Sequence, residues 1–146
     1  MTDPRKPLAP LDAKLVAQLT TTLGPHEPRN FAKDGALDIA VVGAWTIGFG
    51  QTVAKSAPQS SQRGTDVEIL LTAGGRLVTT RNSWTRTVDG SSEESQRSDV
   101  HETPDAAYRW LINDGNGKLG PASKAAWVQA CRAFGPMAGL EFERVE

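Results

Sequence analysis

The sequence predicts a single α+β domain over residues 1–146, in which an N-terminal helix and two C-terminal helices cover one face of a mostly antiparallel sheet of four or five strands. Three observations predict this class. Leucines recur every four residues near the start of the chain, apolar and polar residues alternate through its middle, and two alanine-rich segments near its end each begin with proline. Helices are therefore expected at both ends of the chain and strands between them.

The first predicted element is an amphipathic helix whose apolar stripe consists of four leucines: Leu11, Leu15, Leu19 and Leu23. Pro10 suits the first turn of this helix, where its missing N–H group costs nothing, and Gly24 followed by Pro25 ends it. Residues 1–9 are expected to be flexible. Residues 25–35, which are rich in charge and proline, are expected to be a connection.

Strand-like alternation begins at Leu37 and continues to Gly50. This pattern fits either two strands or one long strand that bends at Gly43. Its aromatic and branched residues alternate with small ones, among them Gly48. Small residues in a strand predict that a helix or another backbone approaches that side of it closely.

A β-hairpin is predicted around Gly74 and Gly75, which suit a tight turn between a strand over residues 67–71 and a strand over residues 76–85. Residues 97–102 form a further short candidate strand. Surface loops are predicted for two polar segments, residues 55–65 and residues 89–96.

Two helices are predicted after the strands. The sequence Thr-Pro-Asp at residues 103–105 starts a helix over residues 104–113, because the threonine oxygen can accept a free amide, proline presets φ and the carboxylate meets the positive end of the dipole. Pro121 starts the second helix, and Gly135 ends it. Residues 140–146 alternate again, which fits a terminal strand or an appended tail.

Charge and composition narrow the possible functions. Sixteen basic and seventeen acidic residues give a net charge of −1, so the chain as a whole is not attracted to nucleic acid or to an anionic membrane. We find neither a signal-peptide core nor the run of ~20 apolar residues that spans a bilayer, and we therefore expect a cytoplasmic protein. Cys131 is the one cysteine, and its helical spacing from Trp127 predicts a buried thiol.

No set of residues in the sequence meets the requirements of a catalytic, cofactor-binding or metal site. Residues 114–117 resemble the middle of a calcium-binding loop, but Ile112 and Ser123 stand where its strongest ligands belong. His101 has acidic neighbours, so a small hydrolase with His101 as its base is the last-ranked alternative, although no nucleophile motif accompanies it. The sequence therefore predicts a protein that is not an enzyme and needs no cofactor or metal.

A contact surface is predicted on the second strand of the hairpin and the acidic segment that follows it, formed by Arg76, Arg81, Trp84, Arg86, Glu93 and Glu94. Arginines beside a tryptophan can stack on bases or hold phosphates, which makes a nucleic-acid-binding regulator one alternative. The acidic residues fit an immunity-type inhibitor as a second alternative. Because the net charge is near zero, the preferred interpretation is a non-catalytic interaction protein with a protein partner, in an oligomeric state that stays open.

The runs LLTAGGRLVTTRNSWTR and TPDAAYRWLIND together resemble the small accessory proteins carried on actinobacterial plasmids and phages. The resemblance covers about fifty residues. It implies an accessory role on a mobile genetic element, for example in plasmid transfer and spread like the Spd proteins of Streptomyces plasmids. It transfers no functional residue to this chain.

Overall fold

A computed structural model describes residues 5, 7–8, 10–31, 39–56, 61–87, 92–114 and 117–134 of the chain. These residues form three helices and five strands, and the α+β class predicted from the sequence is confirmed. In chain order the elements are α1 (Ala13–Leu23), β1 (Glu27–Phe31), β2 (Ile39–Ser56), β3 (Ser61–Thr72), β4 (Leu77–Thr87), β5 (Ser92–His101), α2 (Pro104–Asp114) and α3 (Pro121–Ala133).

The five strands form one antiparallel sheet in which spatial order follows chain order. We call the side that the helices cover the helix face. Val67, Ile69 and Leu71 point to it and form its core with the helices. The opposite side, the far face, carries a smaller cluster that includes Phe31 and Leu70. Since β1 and β5 contact each other although they lie at opposite ends of the strand order, the sheet curls.

The core of the helix face is built from large, fully buried side chains, among them Trp45, Trp127 and Phe134. Cys131 is also buried, as its spacing predicted. Among the residues that the structure describes, no helix is both long enough and apolar enough to cross a membrane.

Gly48 and Gly50 lie directly beneath α3, and this confirms the close approach that the small residues of β2 predicted. A Cβ atom on Gly48 would overlap the backbone carbonyl of Ala126, and one on Gly50 would overlap that of Ala122. The helix backbone therefore rests on the strand with no side chain between them. A carbonyl oxygen cannot turn aside as a flexible side chain can, so both positions require glycine.

The β3–β4 hairpin and the start of α2 agree with their sequence signals. Gly75 has a φ of +86°, and the N–H group of Arg76 donates to the hydroxyl of Thr72 at 3.1 Å. The hydroxyl of Thr103 accepts a hydrogen bond from the N–H group of Ala106 at 3.0 Å. Local chemistry is enough to specify both features.

Helix α1 begins later than Pro10, because Asp12 is its cap and accepts a hydrogen bond from the N–H group of Leu15 at 2.8 Å. Leu8, which belongs to the segment 1–9 that was predicted to be flexible, contacts the rest of the fold. The N–H group of Leu8 donates to the carbonyl of Glu102 at 3.4 Å, and its side chain packs against the core.

The leucines of α1 are buried to different degrees: Leu19 is 3% exposed, whereas Leu23 is 38% exposed. We expect Leu19→Ala to lower the free energy of unfolding by about 2 kcal/mol, since it removes a buried side chain at the margin of the core. Leu23→Ala is the matched control, with an expected loss below about 0.5 kcal/mol. Urea unfolding followed by tryptophan fluorescence measures both, and equal losses would contradict the orientation of this helix.

The strands extend through segments that were predicted to be loops. Strand β2 is one long strand that runs to Ser56, and β3 already begins at Ser61, so most of the expected loop 55–65 is strand. Likewise β5 begins at Ser92, inside the expected loop 89–96. These polar segments form strands because their backbones pair with neighbouring strands. Such pairing does not require apolar residues at alternate positions, so the sequence shows no alternation there.

The expected connection at residues 25–35 contains β1, which was missed. This strand is short and polar except for Phe31, which is 2% exposed on the far face. The predicted end of α3 at Gly135 and the alternating residues 140–146 lie outside the described residues.

Candidate functional site

The predicted contact surface is divided between the two faces of the sheet. Arg81 points to the helix face, where its guanidinium lies 2.9 Å from the carboxylate of Asp114. Arg86 points to the far face and lies over the ring of Trp84, with 4.9 Å from its guanidinium carbon to the ring centroid. Arg76 precedes β4 and lies 3.9 Å from Glu102. The structure therefore does not bring these three arginines together into one basic patch.

Asp114 has a structural position at the end of α2. Its side chain is 8% exposed and forms ion pairs with both Arg81 of β4 and Arg97 of β5. The carboxylate that begins the calcium-like segment thus joins the end of the helix to the sheet. Within the described residues, no group of three or more histidine, cysteine, aspartate or glutamate side chains is placed to hold a metal ion.

Trp84 is part of the sheet surface and offers little area of its own, because it is only 9% exposed. Its ring lies against Gly64, where a Cβ atom would overlap it. Its indole N–H donates to the carboxylate of Asp66 at 3.2 Å, and the side-chain amide of Gln51 donates to the same oxygen at 2.7 Å. These contacts hold the indole flat against the neighbouring strand.

The two predicted glutamates lie on adjacent positions of β5. Glu94 is the cross-strand neighbour of Trp84, and Glu93 is that of Thr85. Both border an open hollow of about 490 Å³ that Arg63 and Trp84 also line. Of the six predicted residues, Arg86 and Glu94 therefore lie beside Trp84 on the far face, and Glu93 borders the same hollow from the next position of β5.

His101 is a core residue of β5 with an exposed fraction of 6%. Its Nε2 atom lies 2.7 Å from the hydroxyl of Thr79, and its ring centroid lies 6.1 Å from that of Trp110. The nearby Ser98 points to the other face, where its hydroxyl donates to that of Thr80. The imidazole is therefore buried and packed against the threonine and the tryptophan.

Sequence reasoning missed the open edge of β2. Strand β1 pairs with β2 only between Ile39 and Ala44. From Thr46 to Ser56, β2 is paired with β3 on one side, and no strand among the described residues pairs with its other side. We call this stretch, residues 46–56, the open edge. Within the described part of the chain, this stretch of β2 therefore has one row of backbone groups that faces no strand.

The backbone groups of the open edge alternate in direction. The N–H group of Phe49 points away from β3, because it donates to the side-chain oxygen of Gln129 at 2.6 Å. The register from Gly48 to Ser56 is regular, so the N–H and carbonyl groups of Gln51 and Val53 point outward as well. The side chain of Gln129 therefore accepts the hydrogen bond that Phe49 would otherwise donate to a neighbouring strand.

Residues 46–54 of the open edge lack the charges that usually protect such strands, and Lys55 near its end is the one charged residue of the edge. Between Trp45 and Ala54 there is no charged residue, and Phe49 and Val53 are 44% and 50% exposed on the far face. The opposite edge strand, β5, carries four charged residues: Glu93, Glu94, Arg97 and Asp99. Charged edges discourage pairing with other chains, and uncharged ones permit it. The uncharged run in the sequence is the signal that could have identified this edge.

A hollow of about 580 Å³ lies along the outer side of α3, lined by Pro121, Lys124, Ala125, Val128, Gln129 and Arg132. Gln129 belongs both to this hollow and to the contact with Phe49, so the hollow adjoins the open edge on the helix face. The edge is therefore flanked by exposed apolar side chains on one face and by a concave helix surface on the other.

Comparison of the chain with protein-family models, with curated proteins and with solved structures finds no significant match, so the geometry of the open edge is the basis for assigning a function.

Proposed function

We propose that this chain is a non-catalytic protein-interaction module that binds an extended segment of a protein along the open edge of β2. The observation that carries this proposal is the uncharged stretch of β2 that no described strand pairs with. An edge of this kind presents a row of backbone donors and acceptors, and many domains bind extended peptides by adding them to such an edge.

The surroundings of the edge offer contacts to both sides of an added strand. Side chains of a strand alternate between its two faces. On the far face, Phe49 and Val53 offer apolar contacts to every second residue of the bound segment. On the helix face, the hollow beside α3 offers room for the residues between them. Backbone hydrogen bonds supply the affinity in such complexes, and these side chains supply the specificity.

The distribution of the arginines supports a protein partner over a nucleic acid. Phosphate binding depends on several basic side chains that neutralise neighbouring phosphates together. Here Arg81 is paired with Asp114, and Arg86 lies on the opposite face against Trp84. The accessory role on a mobile genetic element, which the sequence resemblance implies, is kept as the biological setting of this proposal.

Photo-crosslinking at the open edge tests strand addition. We expect benzoylphenylalanine in place of Phe49 to give a covalent product with the partner, and the same group at Val53 to react at a site displaced by about four residues along the partner, because the two chains run in register. Irradiation of the purified chain, alone and mixed with a lysate of its host cell, followed by mass spectrometry, locates both sites.

Asn82 is the control position. It lies on the far face like Phe49 and Val53, but its strand, β4, is paired on both sides, with β3 and with β5. We expect little product from it. Equal products from Asn82 and Phe49 would indicate binding across the far face instead of along the edge. Absence of product at both Phe49 and Val53 would refute the proposed function.

A further inference from the structure

We infer that the segment bound at the open edge is β2 of a second copy of this chain, so that two sheets join edge to edge around a twofold axis at Gln51. This inference rests on the proposed strand addition and names its partner. It comes from the order of residues whose backbone groups point outward, namely Phe49, Gln51 and Val53.

The outward residues are self-complementary in an antiparallel pair. With Gln51 opposite the second copy's Gln51, Phe49 lies opposite the second copy's Val53, and Val53 lies opposite its Phe49. Each exposed apolar side chain thereby gains an apolar cross-strand neighbour. The two Gln51 side chains, whose amides each donate to Asp66 of their own chain, lie next to each other at the axis. An interface around a twofold axis requires this kind of self-complementarity, and aromatic residues opposite β-branched ones are favourable cross-strand pairs.

Charge does not oppose this pairing. Residues 46–54 carry no charge, and Lys55 lies opposite the second copy's Ile47, so no like charges lie opposite each other in the paired strands. The other edge strand, β5, would set Glu93 and Glu94 against acidic residues of a second copy in many registers. Association of two copies is therefore directed to β2.

Helix α3 and Gln129 extend the argument to the helix face. Since Ala122 lies over Gly50 and Ala126 lies over Gly48, α3 runs antiparallel to β2 with its N-terminal end nearest Gln51. Once the two β2 strands pair, the two α3 helices therefore extend away from the axis in opposite directions and leave the axis clear. Gln129 releases the N–H group of Phe49, which then donates to the carbonyl of the second copy's Val53.

Introducing a charge at Gln51 tests the twofold axis. At a concentration of about 100 µM, the chain should sediment with twice the mass of its 15.6 kDa monomer. Gln51→Lys places two lysines directly opposite each other and should weaken self-association by about tenfold or more, and Gln51→Glu should do the same with two carboxylates. An equimolar mixture of the two variants should recover the dimer, because Lys and Glu then meet at the axis.

Asn82→Lys, in the interior of the sheet, is the matched control and should leave the dimer intact. Circular dichroism of each variant separates loss of folding from loss of association, and recovery in the mixture shows that both variants are folded. A dimer that resists Gln51→Lys, or a mixture that stays monomeric, overturns the inference. If the wild-type chain is a monomer but benzoylphenylalanine at positions 49 and 53 still crosslinks to another protein at displaced sites, only the identity of the partner is overturned. If neither position gives a crosslink, strand addition itself is overturned.

Discussion

Gly50→Ala should lower the free energy of unfolding by about 3 kcal/mol, at the upper end of the usual cost of overpacking. The added Cβ atom would overlap the carbonyl oxygen of Ala122, which belongs to the backbone of α3. Relief requires the whole helix to move, and α3 also carries the buried Trp127. Urea unfolding followed by tryptophan fluorescence measures the loss.

Gly74→Ala is the control, because a Cβ atom there would meet only the hydroxyl of Thr72 at 3.8 Å. Its expected effect is below about 0.5 kcal/mol, as for most exposed positions. If Gly50→Ala cost no more than this control, α3 would not rest on β2 as described. Gly48→Ala provides a second measurement, since its Cβ atom would meet the carbonyl of Ala126 in the same way.

Asp114→Ala should also lower the free energy of unfolding by about 3 kcal/mol, near the lower end of the cost of breaking a buried ion pair. The carboxylate is 8% exposed and stands between Arg81 and Arg97, whose side chains are 26% and 48% exposed. Its removal takes the shared carboxylate away from two neighbouring guanidinium groups. Their partial exposure lets water relieve some of that cost, which sets the lower estimate.

Arg109→Ala is the matched control for an exposed ion pair. Arg109 is 71% exposed and pairs with Asp105 one turn away on α2, so its loss should cost at most about 0.5 kcal/mol. Both variants are compared by urea unfolding at low and at high salt. Equal losses for Asp114→Ala and Arg109→Ala would show that Asp114 contributes no more than a surface pair.

Sequence patterns were sufficient where the specifying contacts are local. The leucine spacing places α1, Thr103 caps α2 and Gly75 turns the hairpin, each through neighbours within a few residues. Strands β1 and β5 could not be predicted in this way. Pro28 and the charges of β1 are typical of a connection, and β5 is held by backbone pairing with β4, which polar residues permit without an apolar pattern.

The candidate site depends even more on distant contacts. Trp84 and Arg86 are two positions apart on β4 and share the far face, as the alternation of a strand requires. Alternation gives no sign that Arg81 meets Asp114, which lies 33 positions further along the chain. The open edge exists because β1 begins at Glu27, opposite Ala44, while β2 continues to Ser56, and this difference follows only from the pairing of complete strands.

The hydrogen bond from Phe49 to Gln129 makes strand addition at the open edge an exchange reaction. The Phe49 donor already has an acceptor in the monomer, so a bound strand replaces that bond instead of adding one. The equilibrium constant for strand addition is therefore lower than it would be without the Gln129 bond. Weakly matching strands of other chains are less able to bind the monomer. The rate of capture is hardly affected, since an exposed glutamine side chain changes rotamer within picoseconds to nanoseconds. The Gln129 bond thus lowers the affinity of the edge for an added strand and leaves the association rate almost unchanged.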